Sequence, residues 1–497
     1  MDALIYLCTL EQVTIFREGA YHMHIHFIGI GGTAMGSVAI ACSMQGHSVT
    51  GSDGPVYPPM SDVLEDAGVH RFEGYDSERL RTLAPELVVV GNAISRGNPE
   101  LEWVLEDRMP MTSMAELVGR MFISRNHSIV CCGTHGKTTT SSMAAWLLEH
   151  AGRLPGFLIG GVPGNSSVGC RPAPSTVHDT RAGVFVSEGD EYDTAFFDRR
   201  SKFVHYRPFV AIINNLEFDH ADIFNSVEDI VKSFRQMVRI IPKNGLLVVN
   251  AEDHHALRAA EGAPCPTATV GTSQGSTWRI VDISEEGNST VWSITNNNNV
   301  YGRFSLPMPG EHNVRNATMA IVATAEVGLT AQEQMAAMPL FKAPKRRLEE
   351  IGAWMGCIVV DDFAHHPTAI AATICALKQR YPAAALHIVF EPRSNTTSRN
   401  FFQSELAACF QGARTVCLGP INRPERYQEA ERLDTSRLVH EISALGIDAH
   451  SIPSHRATDP QWGADVVALL SGTVHEHDVV AILSNGDVGG LRRMLTT

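Results

Sequence analysis

The feature that most constrains the fold is the alternation of short apolar runs with stretches of helical periodicity along the whole chain. The apolar runs end repeatedly in small or polar residues. The segments that show this pattern are 24–32, 86–93, 128–136, 184–191, 210–220, 357–366, 386–394 and 479–487. Such alternation is typical of βαβ units, so we predict an α/β fold with mostly parallel sheets. Ligands bind at the carboxyl ends of strands in such sheets, which makes these polar residues the first candidates for chemistry.

The length of 497 residues is enough for about three domains. We expect a Rossmann-like domain over 23–118, a central P-loop ATPase-like domain over 119–340 and a Rossmann-like α/β domain over 341–497. The second boundary falls in a segment rich in Pro, Lys and Arg, 338–347. Residues 1–22 precede the first strong strand and are expected to be an extension without a role in the chemistry. The asparagine run 296–299 predicts the tip of a β-hairpin.

Composition excludes several classes of protein. The formal charge of −14 argues against a general nucleic-acid or anionic-membrane binder, since both need basic surface. The ten cysteines show no CxxC spacing, so no zinc site is predicted from them. No apolar run is long enough to span a membrane, and the first residues lack the basic start of a signal peptide. We therefore expect a cytoplasmic enzyme that acts on small molecules.

The sharpest motif is a glycine-rich loop between a predicted strand and a predicted helix that runs to about His150. The loop consists of Gly133, Thr134, His135, Gly136, Lys137, Thr138 and Thr139. Backbone N–H groups of such a loop face phosphate oxygens, the lysine contacts the β- and γ-phosphates, and the hydroxyl after it binds Mg²⁺. Cys131 stands where the usual pattern has its first glycine. A chance glycine turn is the alternative, but the strand before it and the helix after it favour a nucleotide site.

Two acidic clusters, 188–193 and 217–222, follow apolar strands in the same domain. Mg²⁺ prefers oxygen ligands, and one or two carboxylates beside the phosphates suffice. Most of these carboxylates are expected to be solvated loop charge. Glu188 is a candidate metal ligand, and His220 is either a ligand or a residue that orients one.

The first domain opens with Gly29, Ile30, Gly31 and Gly32, and Asp53 ends its second strand. This pattern is similar to a dinucleotide fingerprint and makes an NAD-dependent oxidoreductase the rival hypothesis. Rossmann-like domains also bind other diphosphates, including UDP-sugars, in the same crevice. The oxidoreductase hypothesis also leaves the phosphate loop unexplained.

Basic residues in the last domain are candidates for contacts with anions. Arg347 follows Lys345 and Arg346, and arginine here is suited to stabilising charge on a transferring phosphoryl group, although a basic linker is the alternative. Arg393 follows a strand and is suited to bidentate binding of a substrate carboxylate.

Together these motifs resemble the Mur ligase family of peptidoglycan synthesis, from about residue 24 to the C-terminus. The segments that carry the resemblance are 133–139, 188–193, 218–222, 310–316, 346–349, 361–368 and 484–490. Within the family, segments 191–208, 214–224 and 390–396 look most like the recycling branch. That branch joins UDP-N-acetylmuramate to L-alanyl-γ-D-glutamyl-meso-diaminopimelate. The biosynthetic branch, which adds L-alanine to UDP-N-acetylmuramate, is the alternative.

The resemblance implies ATP and Mg²⁺ as cofactors and assigns roles by motif. Lys137, Glu188, His220 and Arg347 would be catalytic. Thr138 and Glu188 would bind a first Mg²⁺, and His220 would help to bind a second. The loop 133–139 would bind ATP together with His312, Asn316, Arg347 and Asp362. The UDP-sugar would contact Gly29, Ile30, Gly31, Gly32, Asp53 and Asn92, and the peptide would contact His365, Arg393 and Ser394.

Overall fold

A computed structural model describes residues 22–57, 60–174, 183–452, 457 and 459–496. The proposed extension, 1–22, therefore lies outside the described residues except for His22. These residues divide into two compact units. The first contains the described residues up to Leu117 together with Ala195–Phe197, and the second contains the rest. Within the described ranges, no helix combines the length and apolarity that a membrane span needs.

The first unit is built on a five-stranded, fully parallel sheet in the order β3-β2-β1-β4-β5. The strands are β1 (His24–Ile28), β2 (Ser48–Asp53), β3 (His70–Glu73), β4 (Leu87–Val90) and β5 (Met111–Ser113). The helices are α1 (Thr33–Met44), α2 (Met60–Asp66), α3 (Ser77–Leu83), α4 (Pro99–Glu106) and α5 (Met114–Val118). This strand order is that of a Rossmann-like half, with β1 at the centre. Phe196 packs on the core around Val88 and Trp103.

The second unit contains two large sheets, of which the larger has ten strands in the order β17-β16-β15-β14-β13-β12-β6-β9-β7-β8. Its strands are β6 (His127–Cys132), β7 (Gly156–Leu158), β8 (Cys170–Arg171), β9 (Val184–Gly189), β12 (Val210–Ile213), β13 (Leu246–Asn250), β14 (Thr267–Gly271), β15 (Trp278–Glu286), β16 (Ser289–Asn296) and β17 (Asn299–Leu306). A separate two-stranded sheet pairs β10 (Asp193–Ala195) with β11 (Asp198–Ser201). The helices are α6 (Lys137–His150), α7 (Lys202–His205), α8 (Val227–Val238), α9 (His254–Ala260), α10 (Glu311–Glu326) and α11 (Ala331–Ala337).

The predicted hairpin and the predicted end of the first helix of this sheet are both confirmed. Asn297 and Asn298 link β16 to β17 with positive φ angles of 47° and 67°, the conformation that a tight two-residue hairpin turn requires. Helix α6 ends at His150 and packs against α10.

The smaller sheet of the second unit has six strands in the order β18-β19-β23-β20-β21-β22, and only β18 is antiparallel to its neighbour. Its strands are β18 (Glu349–Trp354), β19 (Cys357–Asp362), β20 (Leu386–Phe390), β21 (Thr415–Leu418), β22 (Asp448–Ser451) and β23 (Val479–Leu483). The helices are α12 (Pro367–Arg380), α13 (Gln403–Cys409), α14 (Thr435–Ala444), α15 (Pro460–Ser471) and α16 (Leu491–Met494). Apolar cores cover both faces of this sheet, which explains why its strands are continuous apolar runs.

These sheets confirm the predicted α/β class with mostly parallel strands. Each of the eight segments that the sequence marked contains a strand, and small or polar residues lie at or directly after its carboxyl end. Strands β9, β6 and β12 are adjacent and parallel, so their carboxyl ends lie along the same edge. The phosphate loop and both acidic clusters are therefore brought together at that edge.

Candidate active site

The phosphate loop connects β6 to α6, and its backbone conformation requires glycine. Gly136 has a φ of +83°, and a Cβ atom there would lie 2.6 Å from Asn316 Oδ1 and 2.7 Å from Asn214 Nδ2. The backbone N–H of Thr134 donates to the carbonyl of Asn215 at 3.0 Å, and that of His135 donates to Asn215 Oδ1 at 2.8 Å. The loop is thus held against the strand end that follows β12. With the N-terminus of a 14-residue helix behind it, this is a suitable site for an anion.

Lys137 is the first residue of α6, and its side chain is surrounded by acceptors. Its Nζ donates to the carbonyl of Gly133 at 2.8 Å and to Glu191 Oε2 at 3.0 Å. Both members of the ion pair are nearly buried, with 12% of the lysine side chain and 3% of the glutamate side chain exposed. Burial alone would lower the pKa of Lys137, but the charges of Glu191, Asp190 and Glu188 raise it, so the group stays a cation.

Thr138 and Glu188 form the next part of the site. Thr138 Oγ1 donates to Glu188 Oε1 at 2.8 Å, and the backbone N–H of Gly160 donates to Glu188 Oε2 at 2.8 Å. Burial and the neighbouring Asp190 raise the pKa of Glu188. A hydroxyl and a carboxylate oxygen next to a phosphate loop are the donor types that Mg²⁺ binds.

His220 lies on the opposite side of Glu191, with its Nε2 atom 3.4 Å from Glu191 Oε1. Burial would lower the pKa of His220, but the hydrogen bond and the charge of Glu191 raise it. Glu191 therefore joins Lys137 to His220. Glu191 was not among the residues predicted from sequence, although it lies in the acidic cluster that was.

Arg347 and Arg346 are neighbours in sequence but have different partners. Arg347 Nη2 lies 3.3 Å from Thr138 Oγ1, which brings a guanidinium of the last domain to the phosphate loop. Arg346 instead lies 3.3 Å from Asp361 through Nε and donates to the carbonyls of Ser484 and Gly486. Arg346 thus stabilises the strand ends of the six-stranded sheet, while Arg347 belongs to the phosphate site.

A cavity of about 230 Å³ adjoins the phosphate loop. Seven of the residues predicted to bind ATP line it: His135, Gly136, Thr139, His312, Asn316, Arg347 and Asp362. Asp362 accepts hydrogen bonds from the backbone N–H groups of Leu348 and Ala364, at 2.7 and 2.8 Å, and burial raises its pKa. Burial lowers the pKa of His312 to about 4, so this ring is neutral at physiological pH.

One cluster beside this cavity was not predicted as a unit. His135 Nε2 lies 2.8 Å from Glu217 Oε2, and His366 Nδ1 lies 3.3 Å from the same oxygen. Thr368 Oγ1 donates to the other oxygen of Glu217 at 2.9 Å. Burial opposes ionisation of Glu217, but the hydrogen bond from His135 and the nearby imidazoles lower its pKa to about 2. Burial and His135 together lower the pKa of His366 to about 4.

The three residues predicted to bind peptide follow strands of the six-stranded sheet. His365 comes after β19, and its Nδ1 atom lies 2.9 Å from the carbonyl of Phe363. Arg393 comes after β20 and lies 3.2 Å from Glu391, while Ser394 Oγ lies 2.7 Å from Thr397 Oγ1. Since β19 and β20 are both parallel to β23, these residues share one edge of the sheet.

Asp219 and Thr396 form a further contact that the sequence did not predict. Thr396 Oγ1 donates to Asp219 Oδ1 at 2.6 Å, and both side chains are buried. Burial opposes ionisation of Asp219, but the charges of His220 and His365 and this hydrogen bond lower its pKa. The acidic cluster after β12 is thus joined to the loop that carries Arg393 and Ser394.

In the first unit, Gly29–Gly32, Asp53 and Asn92 lie at the carboxyl ends of β1, β2 and β4. Asp53 is already engaged, because its carboxylate accepts from the backbone N–H groups of Gly31 at 2.7 Å and Gly54 at 2.8 Å. A Cβ atom on Gly31 would lie 2.9 Å from Asp53 Oδ2 and 2.6 Å from Val56. Asp53 therefore shapes the glycine loop, whereas Asn92 is exposed.

Comparison with known families accounts for this arrangement over most of the chain. The Mur ligase family, catalytic domain, matches residues 24–125, the Mur ligase middle domain matches 131–324, and the Mur ligase, glutamate ligase domain, matches 346–486. The chain belongs to the Mur ligase family. The resemblance predicted from the motifs is thereby confirmed, and the protein is an ATP-dependent ligase of the class that forms amide bonds.

Among curated relatives, the chain is similar to two proteins that carry the same name, UDP-N-acetylmuramate--L-alanyl-gamma-D-glutamyl-meso-2,6-diaminoheptandioate ligase. The protein from Escherichia coli (strain K12) is 38% identical over 474 residues, which cover 95% of this chain and 97% of that protein. The protein from Haemophilus influenzae is 35% identical over 95% of this chain and 98% of its own length. A UDP-N-acetylmuramate--L-alanine ligase from Clostridium acetobutylicum is 28% identical over 93% of this chain and 95% of its own length.

Solved structures agree with these relatives. A murein peptide ligase from Psychrobacter arcticus 273-4 has a TM-score of 0.70 at 36% identity and covers 95% of this chain and 98% of its own. A UDP-N-acetylmuramate-alanine ligase from Thermotoga maritima has a TM-score of 0.74 at 23% identity, also over 95% of this chain and 98% of its own. The second likeness is evidence of the fold alone.

Proposed function

We propose that this Mur ligase joins the carboxylate of UDP-N-acetylmuramate to the amine of L-alanyl-γ-D-glutamyl-meso-diaminopimelate, with hydrolysis of ATP to ADP, in peptidoglycan recycling. The observation that carries the proposal is the convergence of Lys137, Glu188 and Arg347 around Thr138 at the end of the phosphate loop. The names of the relatives that are 38% and 35% identical supply the substrates.

The donor set at the phosphate loop fits Mg²⁺. Thr138 Oγ1 and the Glu188 carboxylate, which lie 2.8 Å apart, are the proposed ligands of a first Mg²⁺, and His220 is a proposed ligand of a second. Bound Mg²⁺ would neutralise negative charge on the transferring phosphoryl group. Glu188 is held in position for this role by the backbone of Gly160.

The proposed reaction has two steps, and the residues of the chain act in both. An oxygen of the sugar's carboxylate attacks the γ-phosphorus, the bond to the β-phosphate oxygen breaks, and ADP leaves. Lys137 and Arg347 stabilise the charge that develops on the phosphoryl oxygens. The peptide amine then attacks the carbonyl of the acyl phosphate, loses a proton, and phosphate leaves as the amide forms. Exclusion of water by residues of both sheets protects the acyl phosphate from hydrolysis.

We propose that the three large sheets, of five, ten and six strands, belong to three domains with boundaries near 118 and 340, and that each domain binds one substrate. The first would bind the UDP-sugar through the Gly29–Gly32 loop, which Asp53 shapes, and through Asn92. The third would bind peptide through His365, Arg393 and Ser394. Because ATP and nucleotide-activated sugars are cytoplasmic metabolites, we also propose the cytoplasm as the site of action.

The rival oxidoreductase is disfavoured mainly by the phosphate site of the second unit, and the contacts of Asp53 add to this. Asp53, the acidic residue of the fingerprint, is largely engaged within its own unit, because three of the roughly four acceptor sites of a carboxylate are used. Both oxygens of Asp53 accept hydrogen bonds from the backbone of its own unit, and Tyr75 donates a third bond at 3.1 Å. The phosphate site in the second unit also has no role in hydride transfer.

The test is to incubate the purified protein with Mg-ATP and UDP-N-acetylmuramate, and to add either the tripeptide or L-alanine. Phosphate release and the mass of the product are measured, with Lys137→Ala as the inactive control. A tripeptide adduct without an alanine adduct is expected. An alanine adduct alone would instead place the protein in the biosynthetic branch, and ATP turnover with neither acceptor would refute the proposal.

The control also tests the assignment of the two binding sites. Lys137→Ala should lose ligation and keep UDP-sugar binding, measured by calorimetry, because the two sites are formed by different units. Loss of both to the same degree would show that the glycine loop of the first unit has been misassigned.

A further inference from the structure

Three side chains that are distant in sequence come together beside the nucleotide cavity. His135 belongs to the phosphate loop, Glu217 lies in the loop after β12, and His366 is the residue directly before α12. Each offers one ligand atom, and the three atoms lie within 4.8 Å of one another. No spacing pattern marks this cluster in the sequence, because its members are separated by 82 and 149 residues.

The geometry of the cluster is close to that of a metal site. Ligand atoms at 2.0–2.2 Å from a tetrahedral Zn²⁺ lie roughly 3.3 Å apart. The observed separations are 2.8 Å between His135 Nε2 and Glu217 Oε2, and 3.3 Å between His366 Nδ1 and the same oxygen. The ligand atoms of His135 and His366 lie within 4.8 Å of each other, so the two rings would close on the ion as it binds.

The surroundings of the cluster also suit a bound cation. Thr368 Oγ1 donates to Glu217 Oε1 at 2.9 Å, so the other carboxylate oxygen, Oε2, is directed between the two imidazole rings. Such outer contacts orient the ligands of metal sites. The side chains of Glu217 and His135 are 30% and 19% exposed, which leaves a path for the ion and room for a water ligand, while His366 is 5% exposed.

We propose that His135, Glu217 and His366 form a binding site for a transition-metal cation of the Zn²⁺ class. Two imidazoles and one carboxylate suit zinc, cobalt or nickel, whereas magnesium takes mainly oxygen ligands and would be held poorly by a site with two imidazoles. The site is separate from the proposed magnesium ligands Thr138, Glu188 and His220, and it does not rest on the proposed function.

A cation at this site would join the two sheets of the second unit. His135 and Glu217 follow strands of the ten-stranded sheet, and His366 follows β19 of the six-stranded sheet. The metal would hold them in the arrangement in which Arg347 reaches Thr138. The alternative is that hydrogen bonds alone join the two sheets, with Glu217 accepting from both imidazole rings. We call this arrangement the hydrogen-bonded latch.

The test uses the full-length, metal-stripped protein without nucleotide. Co²⁺ is titrated while the visible absorption of four- or five-coordinate cobalt is recorded, and Zn²⁺ affinity is measured by calorimetry. His366→Asn is the main variant. In the metal-free protein His366 Nδ1 accepts from Thr368 N–H at 3.4 Å, and asparagine can keep that helix cap while removing the imidazole nitrogen whose lone pair a bound metal would take instead. Glu217→Gln is the second variant, and circular dichroism checks that both fold.

Two control variants separate this site from its neighbours. His365→Asn removes the adjacent imidazole, and Glu188→Gln removes a proposed magnesium ligand; both should bind Co²⁺ as the wild type does. His366→Asn and Glu217→Gln should each weaken Zn²⁺ binding at least about 10–100-fold, the loss that even outer-shell substitutions cause.

Three results would overturn the proposal. They are the lack of a cobalt band in the wild-type protein, unchanged affinity in His366→Asn or Glu217→Gln, and loss of the band in Glu188→Gln. The first result would leave the hydrogen-bonded latch as the explanation of the cluster.

Discussion

The buried pair of Lys137 and Glu191 gives a prediction that separates stability from catalysis. Lys137→Met keeps most of the side-chain length and removes the charge, so Glu191 is left beside Asp190 and Glu188 with only His220 as a partner. Breaking a buried ion pair by removing one partner costs about 3–5 kcal/mol. For a domain of roughly 150–250 residues, each kcal/mol shifts Tm by about 2–4 °C. The expected fall is therefore about 6–20 °C.

The double variant Lys137→Met/Glu191→Gln tests the origin of this loss. The large loss in the single variant comes from the uncompensated buried charge, and replacing a whole buried ion pair by uncharged, well-packed hydrophobic residues of similar volume is often nearly neutral for stability. Glu191→Gln removes that charge and keeps the side-chain volume. The double variant should therefore recover most of the lost Tm. It should remain inactive, at least about 10²–10³-fold below the wild type, because the cation that stabilises the phosphoryl group is still missing.

Thermal melts at neutral pH and phosphate release with saturating substrates measure the two effects. The pKa of Glu191 is lowered in the folded protein because the attraction of Lys137 outweighs burial. Its contribution is therefore present above the ordinary value of 4.5 and is lost as the pH falls below it. Equal Tm values for the single and double variants would refute the electrostatic argument, and recovered ligation in the double variant would refute the role of Lys137.

Three further groups of residues give predictions of their own. Arg347→Ala should lower kcat by at least about 100-fold with little change in Tm, whereas Arg393→Ala should raise the KM for the tripeptide and leave that for ATP unchanged; steady-state kinetics checks both. The pKa of His312 falls to about 4 through burial, so its share of stability is complete above 6.5 and is lost as the pH falls from 6.5 through about 4. His312→Asn should flatten the Tm profile in that window. Asp53→Ala leaves the Gly31 N–H without its acceptor and should weaken UDP-sugar binding by about 1–2 kcal/mol, or about tenfold, in calorimetry.

The parts of the fold that depend on residues close together in the chain could be predicted from the sequence. The strand before Gly133, the helix that ends at His150 and the turn at Asn297 and Asn298 were all predicted correctly, because each depends on residues close by in the chain. The convergence of the phosphate loop and the two acidic clusters at one sheet edge could also be predicted, because the carboxyl ends of adjacent parallel strands lie along the same edge.

The pairing of side chains at that edge could not be predicted. The cluster 188–193 places four carboxylates within six residues, and nothing local shows that Glu188 contacts Thr138 while Glu191 contacts Lys137. Arg346 and Arg347 are adjacent and chemically identical. The left-handed backbone at Arg346, with a φ of 60°, lies where the two side chains take different partners, and no propensity predicts that conformation for arginine.

The charge balance of the site explains why the proposed reaction needs a divalent cation. Glu188, Asp190 and Glu191 face Lys137 and Lys202, so carboxylates already outnumber lysines before any nucleotide binds. A triphosphate would add several negative charges where burial makes each uncompensated charge costly. Arg347 cancels the one excess carboxylate, but the charges of the triphosphate remain uncompensated. Glu188, which already accepts from Thr138 and Gly160, would gain a stabilising partner from a cation placed between it and the phosphates. The carboxylates that repel the nucleotide on their own would thus favour its binding as a metal complex.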